Sequence, residues 1–152
     1  MIMAVKNFLP IAIDIANQKI LIVGGGQSAY SKLKILQRHN AKVEILAIKV
    51  CDEIKNSDVK YTEAPYHKKY LKDYLMLYSC SNNEELDRQI EKDCREEKVL
   101  VNIHDKPDRC QFVSPAIYRH GNISVAVSSN GENVYESIRI RNLIKDKLHI
   151  ED

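Results

Sequence analysis

Three consecutive glycines, Gly24-Gly25-Gly26, stand directly after the run Lys19-Ile-Leu-Ile-Val23 and directly before a helical pattern. A β-branched apolar run this short reads as a buried strand. In the helix that follows, Ala29, Leu33 and Leu36 fall on one face, with Lys32, Lys34 and Arg38 turned outward. Gly24-Gly25-Gly26-Gln27-Ser28-Ala29 fits the spacing G-x-G-x-x-G/A. The first glycine of that pattern permits a tight turn, and the second lets the backbone approach a pyrophosphate with no Cβ in the way. The small sixth residue lets the helix pack closely on the strand. Free N–H groups at the helix start add a partial positive charge for phosphate. Strand, turn and helix together point to a dinucleotide site at Gly24, Gly25, Gly26, Gln27 and Ser28.

The rest of the chain repeats the alternation of strand and helix. Ala41–Leu46 reads as a second strand, and a short helix and a strand near Val59–Tyr61 are expected between Ile48 and Tyr70. Tyr74–Tyr78 is a third clear apolar strand. Ser81-Asn-Asn-Glu84 has the form of a capping box, opening a helix that carries Leu86, Ile90 and Cys94. Lys98–Asn102 and Ile123–Val127 read as further strands, the latter leading through Ser128-Ser-Asn-Gly131 into a helix with Ile140, Ile144 and Leu148. Right-handed crossovers wind such an order into an α/β fold, a Rossmann-like, doubly wound, mostly parallel sheet. With no repeat or linker, residues 1–152 are expected to form a single domain with a C-terminal strand-helix extension.

Ligands of such sheets bind beyond the carboxyl ends of the strands, here at Gly24, Ala47, Cys80 and Asn102. The acid that usually binds ribose at the tip of the second strand is missing, because the chain reads Ala47-Ile48-Lys49 there. Glu44 is near the right count but falls within the strand. Coenzyme choice between NAD and NADP is therefore open, and Lys49 could accommodate a 2′-phosphate.

Composition narrows the partners. With 23 basic and 21 acidic residues, a net charge of +2 gives no reason to expect nucleic acid or an anionic membrane. The four cysteines, Cys51, Cys80, Cys94 and Cys110, form no CxxC pair and suit packing in a reducing cytosol. Pro10 and Asp14 interrupt the short N-terminal apolar run, which has no cleavage site and is too short to span a bilayer. A cytoplasmic protein with no metal site is expected.

The second half carries more specific motifs. Val101-Asn-Ile-His-Asp-Lys-Pro107 follows a strand, then Cys110-Gln-Phe-Val-Ser-Pro-Ala116, Ile123–Gly131 and Arg139-Ile-Arg141. With Phe8-Leu-Pro-Ile11 before the glycine strand, this order resembles the precorrin-2 dehydrogenase family, which includes the N-terminal part of siroheme synthases. The resemblance runs from about Asn7 to Leu148. It implies an oxidoreductase acting on CH–CH groups that converts precorrin-2 to sirohydrochlorin with NAD, on the way to sirohaem or cobalamin. By the same resemblance Asp105, closing N-x-x-D, is the catalytic residue, and Ser129 lines the substrate pocket. Cys80, Ser81 and Asn82 would contact the cofactor's ribose or adenine.

The chemistry suits those assignments. Oxidation of precorrin-2 removes a hydride and a proton, so a carboxylate at a strand's C-terminal end can accept the proton or stabilise positive charge on the macrocycle. Read from spacing alone, Asp105 equally suits a cap for the turn before Pro107. His104 reads as a pocket-lining histidine rather than a catalyst, and Asn102, on the cofactor edge, holds its loop. The eight carboxylates of precorrin-2 call for cations, and Arg119, His120, Arg139, Arg141 and Lys145 could form such a patch.

Two departures from the family pattern stand out. Where the family has Gly-Lys-Ser-Pro, this chain reads Gly131-Glu-Asn-Val134, which loses a cation beside the substrate pocket. The chain stops at Asp152, so the family's dimerisation and helical regions are expected to be lacking. A homodimer is compatible with the sequence. Two other readings stay open: a non-catalytic nucleotide- or tetrapyrrole-binding module, and a bifunctional dehydrogenase that also inserts ferrous iron.

Overall fold

The computed structural model describes residues 5–148. They form two compact units, one of Ile13–Gln111 and one of the remaining described residues, 5–12 and 112–148.

The larger unit is built around β1 (Lys19–Val23), whose Ile20, Leu21, Ile22 and Val23 are all buried. α1 (Gln27–Gln37) follows, then β2 (Lys42–Ala47), the four-residue α2 (Asp52–Lys55) and β3 (Lys60–Glu63). β4 (Tyr74–Ser79), α3 (Glu84–Glu97) and β5 (Leu100–Ile103) complete it. The five strands lie in the order β3-β2-β1-β4-β5, every pair parallel. The Rossmann-like sheet expected from the alternation is thus present, and the strand order reverses between β1 and β4, where such sheets open a crevice.

The apolar stripes pack as the periodicity requires. Ala29, Leu33 and Leu36 of α1 and Ile90 and Cys94 of α3 are buried. Three local expectations are corrected. Asn83, not Ser81, is the N-cap of α3: its side chain accepts from the Leu86 amide at 3.0 Å. Ser81 instead donates to the buried carboxylate of Asp87 at 2.8 Å. Lys98 does not open a strand, because it takes the left-handed conformation (φ 57°) that ends α3, and β5 starts at Leu100. Lys32 does not face outward with Lys34 and Arg38; its ammonium lies 4.7 Å from the centre of the Tyr78 ring.

The smaller unit differs from the strand and helix expected of it. β6 (Ala116–His120) and β7 (Ile123–Val127) form an antiparallel hairpin, and α4 (Val134–Lys147) packs on both strands. The turn consists of Gly121 and Asn122, with Gly121 at φ +54°, the kind of two-residue turn that suits a hairpin. Asn130 ties the N-terminal segment into this unit: its carbonyl oxygen accepts from the Phe8 amide at 2.7 Å, and its NH2 donates to the Lys6 carbonyl at 2.9 Å. Among the described residues no helix is long and apolar enough to cross a membrane.

Leu33 is fully buried in α1. Leu33→Ala should lower unfolding stability by roughly 2–5 kcal/mol in urea titration. A loss under about 1 kcal/mol would show that α1 does not pack the core as described.

Candidate functional site

A cleft of about 630 Å³ opens at the carboxyl ends of β1, β2 and β4. That is within the range of small-ligand sites, roughly 300–1,000 Å³. Gly24, Gly25, Gly26, Gln27, Ser28, Ala47, Cys80, Ser81 and Asn82 all line it. The structure therefore brings together nine residues that the sequence singled out from three separate loops. Ile48, Lys49, Pro65, Tyr66, Leu86 and Gln89 also line it. The Ala64-Pro65-Tyr66 wall was missed, because β3 is exposed along its whole length and its sequence has no buried-strand signal.

Each glycine has its own physical reason. Gly24 adopts φ +126°, and a Cβ there would overlap the Cys80 carbonyl oxygen. Its amide donates to the Leu46 carbonyl at 2.9 Å, and the Cys80 amide donates to the Val23 carbonyl at 2.7 Å, which ties three strand ends together. Gly25, to which the motif assigns no role, is also constrained: a Cβ would strike the Lys49 carbonyl, and its own carbonyl accepts from Cys51 at 2.7 Å. Gly26 is the open one. Nothing lies within 4 Å of a Cβ built there, and its backbone (φ −95°, ψ −163°) is available to any residue. Gly26 is also the N-cap of α1, with no side-chain cap and no acid in the first turn. An anion at that helix start meets no competing carboxylate from it.

Glu85, in the first turn of α3, lines the cleft, whereas three other acids of this unit have partners of their own. Glu44 accepts from Tyr74 at 2.7 Å and pairs with Lys60 at 3.3 Å and Lys19 at 3.4 Å, so it serves the sheet and not a ribose. Its burial raises the carboxyl's proton affinity, but the bonds from Tyr74, Lys60 and Lys19 outweigh that and hold it below the usual range. Gln27 donates to Glu53 at 2.8 Å, and Glu63 accepts the Val50 amide at 3.0 Å. Burial pushes the Cys80 thiol up to about 11, which makes it a packed wall of the cleft rather than a nucleophile.

Asn102, His104 and Asp105 do not line this cleft; Asn102 lies in β5, the strand beside β4, and His104 and Asp105 follow it. Asn102 is half-buried and stands opposite Tyr78. The His104 amide donates to the Ser79 carbonyl at 2.9 Å, pinning the turn to the end of β4. Asp105 sits at φ 59° with its side chain 85% exposed, and one oxygen lies 3.3 Å from His104 Nε2. Cys110 closes this loop from within. Its Sγ accepts from the Ile103 amide at 3.1 Å and lies 3.3 Å from the carbonyls of both Ile103 and Lys106.

Ser129, Arg119 and Arg139 belong to the other compact unit. Ser129 Oγ accepts the Asn133 amide at 2.9 Å ahead of α4. Arg119, on β6, donates to the Gly121 carbonyl at 3.3 Å. Arg139 is committed to Glu136 through bonds of 2.8 and 2.6 Å. Arg141 donates to the Ile117 carbonyl at 3.1 Å and so braces α4 on the hairpin.

The glycine geometry separates two substitutions. Gly24→Ala should cost roughly 2 kcal/mol or more in stability, since the side chain meets backbone at a positive φ. Gly26→Ala should melt within a few degrees of wild type by circular dichroism. Equal losses for both would contradict the open face assigned to Gly26.

The chain is similar to known proteins over most of its length. The chain is 34% identical to the siroheme synthase of Buchnera aphidicola subsp. Acyrthosiphon pisum over 129 residues, which is 82% of this chain and 27% of that protein. It is 36% identical to the siroheme synthase of a Psychrobacter species over 130 residues, 83% of this chain and 27% of the relative. It thus spans about a quarter of the length of these curated relatives. A solved structure of SirC, precorrin-2 dehydrogenase, shares the fold with a TM-score of 0.79, covering 93% of this chain and 71% of that one at 19% identity. A family model described as "Putative NAD(P)-binding" matches residues 11–116, more than half of the chain, and the chain belongs to that family.

Proposed function

We propose that this chain oxidises precorrin-2 to sirohydrochlorin, with NAD as the hydride acceptor. The observation that carries the reading is the pairing of an open glycine cleft with an exposed carboxylate, Asp105, one strand away. Its similarity to siroheme synthases, and to a fold shared with a precorrin-2 dehydrogenase, supplies the substrate class. The cytoplasm is the proposed compartment.

In this reading Gly24, Gly25 and Gly26, with Gln27 and Ser28 at the start of α1, hold the pyrophosphate. Ala47, Cys80, Ser81 and Asn82 take the adenosine side of the cleft, and Asn102 fixes the β5 edge. Bound NAD supplies the site that receives the hydride. Asp105 balances the positive charge left on the macrocycle when the hydride departs, and accepts the proton lost with it. His104 of the larger unit is proposed as a substrate contact, and Arg119, Ser129 and Arg139 of the smaller unit are each proposed separately as substrate contacts. Arg139 must exchange Glu136 for a substrate carboxylate, which an exposed pair does at little cost. A homodimer is part of the same reading, supported by the apolar surface that α4 exposes at Tyr135, Ile138 and Leu143.

The direct test is anaerobic: protein, precorrin-2 and NAD, following sirohydrochlorin absorbance and NADH together. Equal molar amounts of both are expected. NAD binding with no NADH from either NAD or NADP would leave a nucleotide-binding module, and a metallated product above the spontaneous rate on adding ferrous iron would add a chelatase. Asp105→Asn is the better variant than Ala, because asparagine tolerates the left-handed backbone at φ 59°. It should lower kcat by about 10²–10⁴ with NAD affinity unchanged. Full activity in that variant would remove Asp105 from the chemistry.

A further inference from the structure

Asp93, on α3, is a carboxylate only 3% exposed. Among the described residues it pairs with no lysine or arginine, and burying it is costly unless hydrogen bonds replace the lost water. Two hydrogen bonds do so, one to each oxygen. The Tyr66 hydroxyl donates to Oδ2 at 3.0 Å, and the Gln89 side-chain NH2 donates to Oδ1 at 2.8 Å. Both partners line the cleft, whereas Asp93 stands behind them. The chain after Tyr66 is also tied to α3 from the surface. Lys68, in the 3-10 turn Lys68–Leu71, pairs with Glu96 at 2.7 Å and with Glu97 at 3.1 Å.

The chemistry of the carboxylate sets what each partner can offer a ligand. A carboxylate only accepts, so it takes Gln89 by its NH2 and not by its oxygen. The amide cannot turn over without setting its oxygen against a carboxylate oxygen. Gln89 Oε1 is thereby left as an acceptor on a cleft-lining residue, with no donor to it among the described residues. The Tyr66 hydroxyl is fixed as a donor in the same way. Burial first, and then the bond to Asp93, raise the phenol's pKa above the usual tyrosine range. With its hydroxyl occupied, Tyr66 offers ring surface, next to the apolar ring of Pro65. Apolar surface with one oriented acceptor suits a planar base that carries an amino group.

We propose that Gln89 reads the adenine of a bound dinucleotide, accepting from its exocyclic amino group through Oε1, and that Asp93 is the positioning residue that holds Gln89 and Tyr66 for it. This rests on the dinucleotide reading of the cleft given above. The glycine turn takes the pyrophosphate in that reading, which leaves the wall of Pro65, Tyr66 and Gln89 to the base. Hypoxanthine carries a carbonyl oxygen where adenine carries the amino group, and it sets acceptor against acceptor at Gln89. The cleft therefore selects adenine over hypoxanthine dinucleotides. This preference is separate from the choice between NAD and NADP, which concerns the ribose 2′ position.

Calorimetric titration of the full chain with NAD and with nicotinamide hypoxanthine dinucleotide tests this without turnover. Wild type should bind NAD about tenfold more tightly, the effect of one lost hydrogen bond and two opposed acceptors. Gln89→Leu, at an exposed helix position, should keep the wild-type circular dichroism spectrum. It should bind the two dinucleotides within about twofold of each other, since the reading group is gone. Asp93→Asn presents an NH2 beside its oxygen, so Gln89 can turn over, and the preference should fall to about threefold or less. A loss of packing alone would weaken both dinucleotides alike and leave their ratio at the wild-type value. That outcome in Asp93→Asn would overturn its positioning role. Equal affinities in wild type, or a full preference kept by Gln89→Leu, would overturn the adenine reader and leave the dinucleotide cleft standing. If wild type binds neither dinucleotide, the reading of the cleft fails and this proposal falls with it.

Discussion

The carboxyl edge of the sheet depends on how closely two backbones approach each other at Gly24. The β1 chain turns there at φ +126°, with the Cys80 carbonyl where a side chain would stand. The Val23 carbonyl accepts the Cys80 amide, and the Leu46 carbonyl accepts the Gly24 amide. These two bonds bring the ends of β1, β2 and β4 to one place, and the cleft is the space above that junction. Any side chain at position 24 would push β1 and β4 apart and take the start of α1 with them. Gly26, two residues on, is free of such contacts and lines the cleft.

Much of this was readable from the sequence because the responsible physics is local. A buried β-branched run, three glycines and an i, i+4, i+7 stripe at Ala29, Leu33 and Leu36 leave few alternatives to strand, turn and helix. Where the outcome depended on competition between neighbours, the reading was less sure. Ser81 and Asn83 could each cap α3, and the buried carboxylate of Asp87 decided the matter by taking the Ser81 hydroxyl. Lys98 ended a helix where a strand was expected, because a left-handed cap on a lysine has no composition signal. The β6–β7 hairpin was signalled by Gly121-Asn122 between two strand-like runs, a cue that went unused. Gly25 and the Tyr66 wall depend on contacts distant in sequence and had no local signal at all.

Lys32 shows the same limit from the other side. Its lysine identity suggests solvent, whereas its position in the α1 stripe suggests core, and the structure sides with position. Local rules that disagree in this way tend to mark residues kept for function at some cost to stability. The Tyr78 ring on β4 takes the Lys32 ammonium at 4.7 Å. Cys80, which lines the cleft, is likewise a packed thiol rather than a reactive one.

The central claim is that the glycine cleft holds the dinucleotide beside the Asp105 turn. Amide chemical-shift mapping with NAD added to the isotope-labelled chain tests it most directly. Perturbations should cluster on Gly24 to Ser28, on Ala47 to Lys49 and on Cys80 to Asn82, and fade along the opposite end of the sheet at Lys19, Lys42 and Tyr74. Saturable shifts centred on that opposite end, with the glycine turn unmoved, would contradict a dinucleotide site in this cleft.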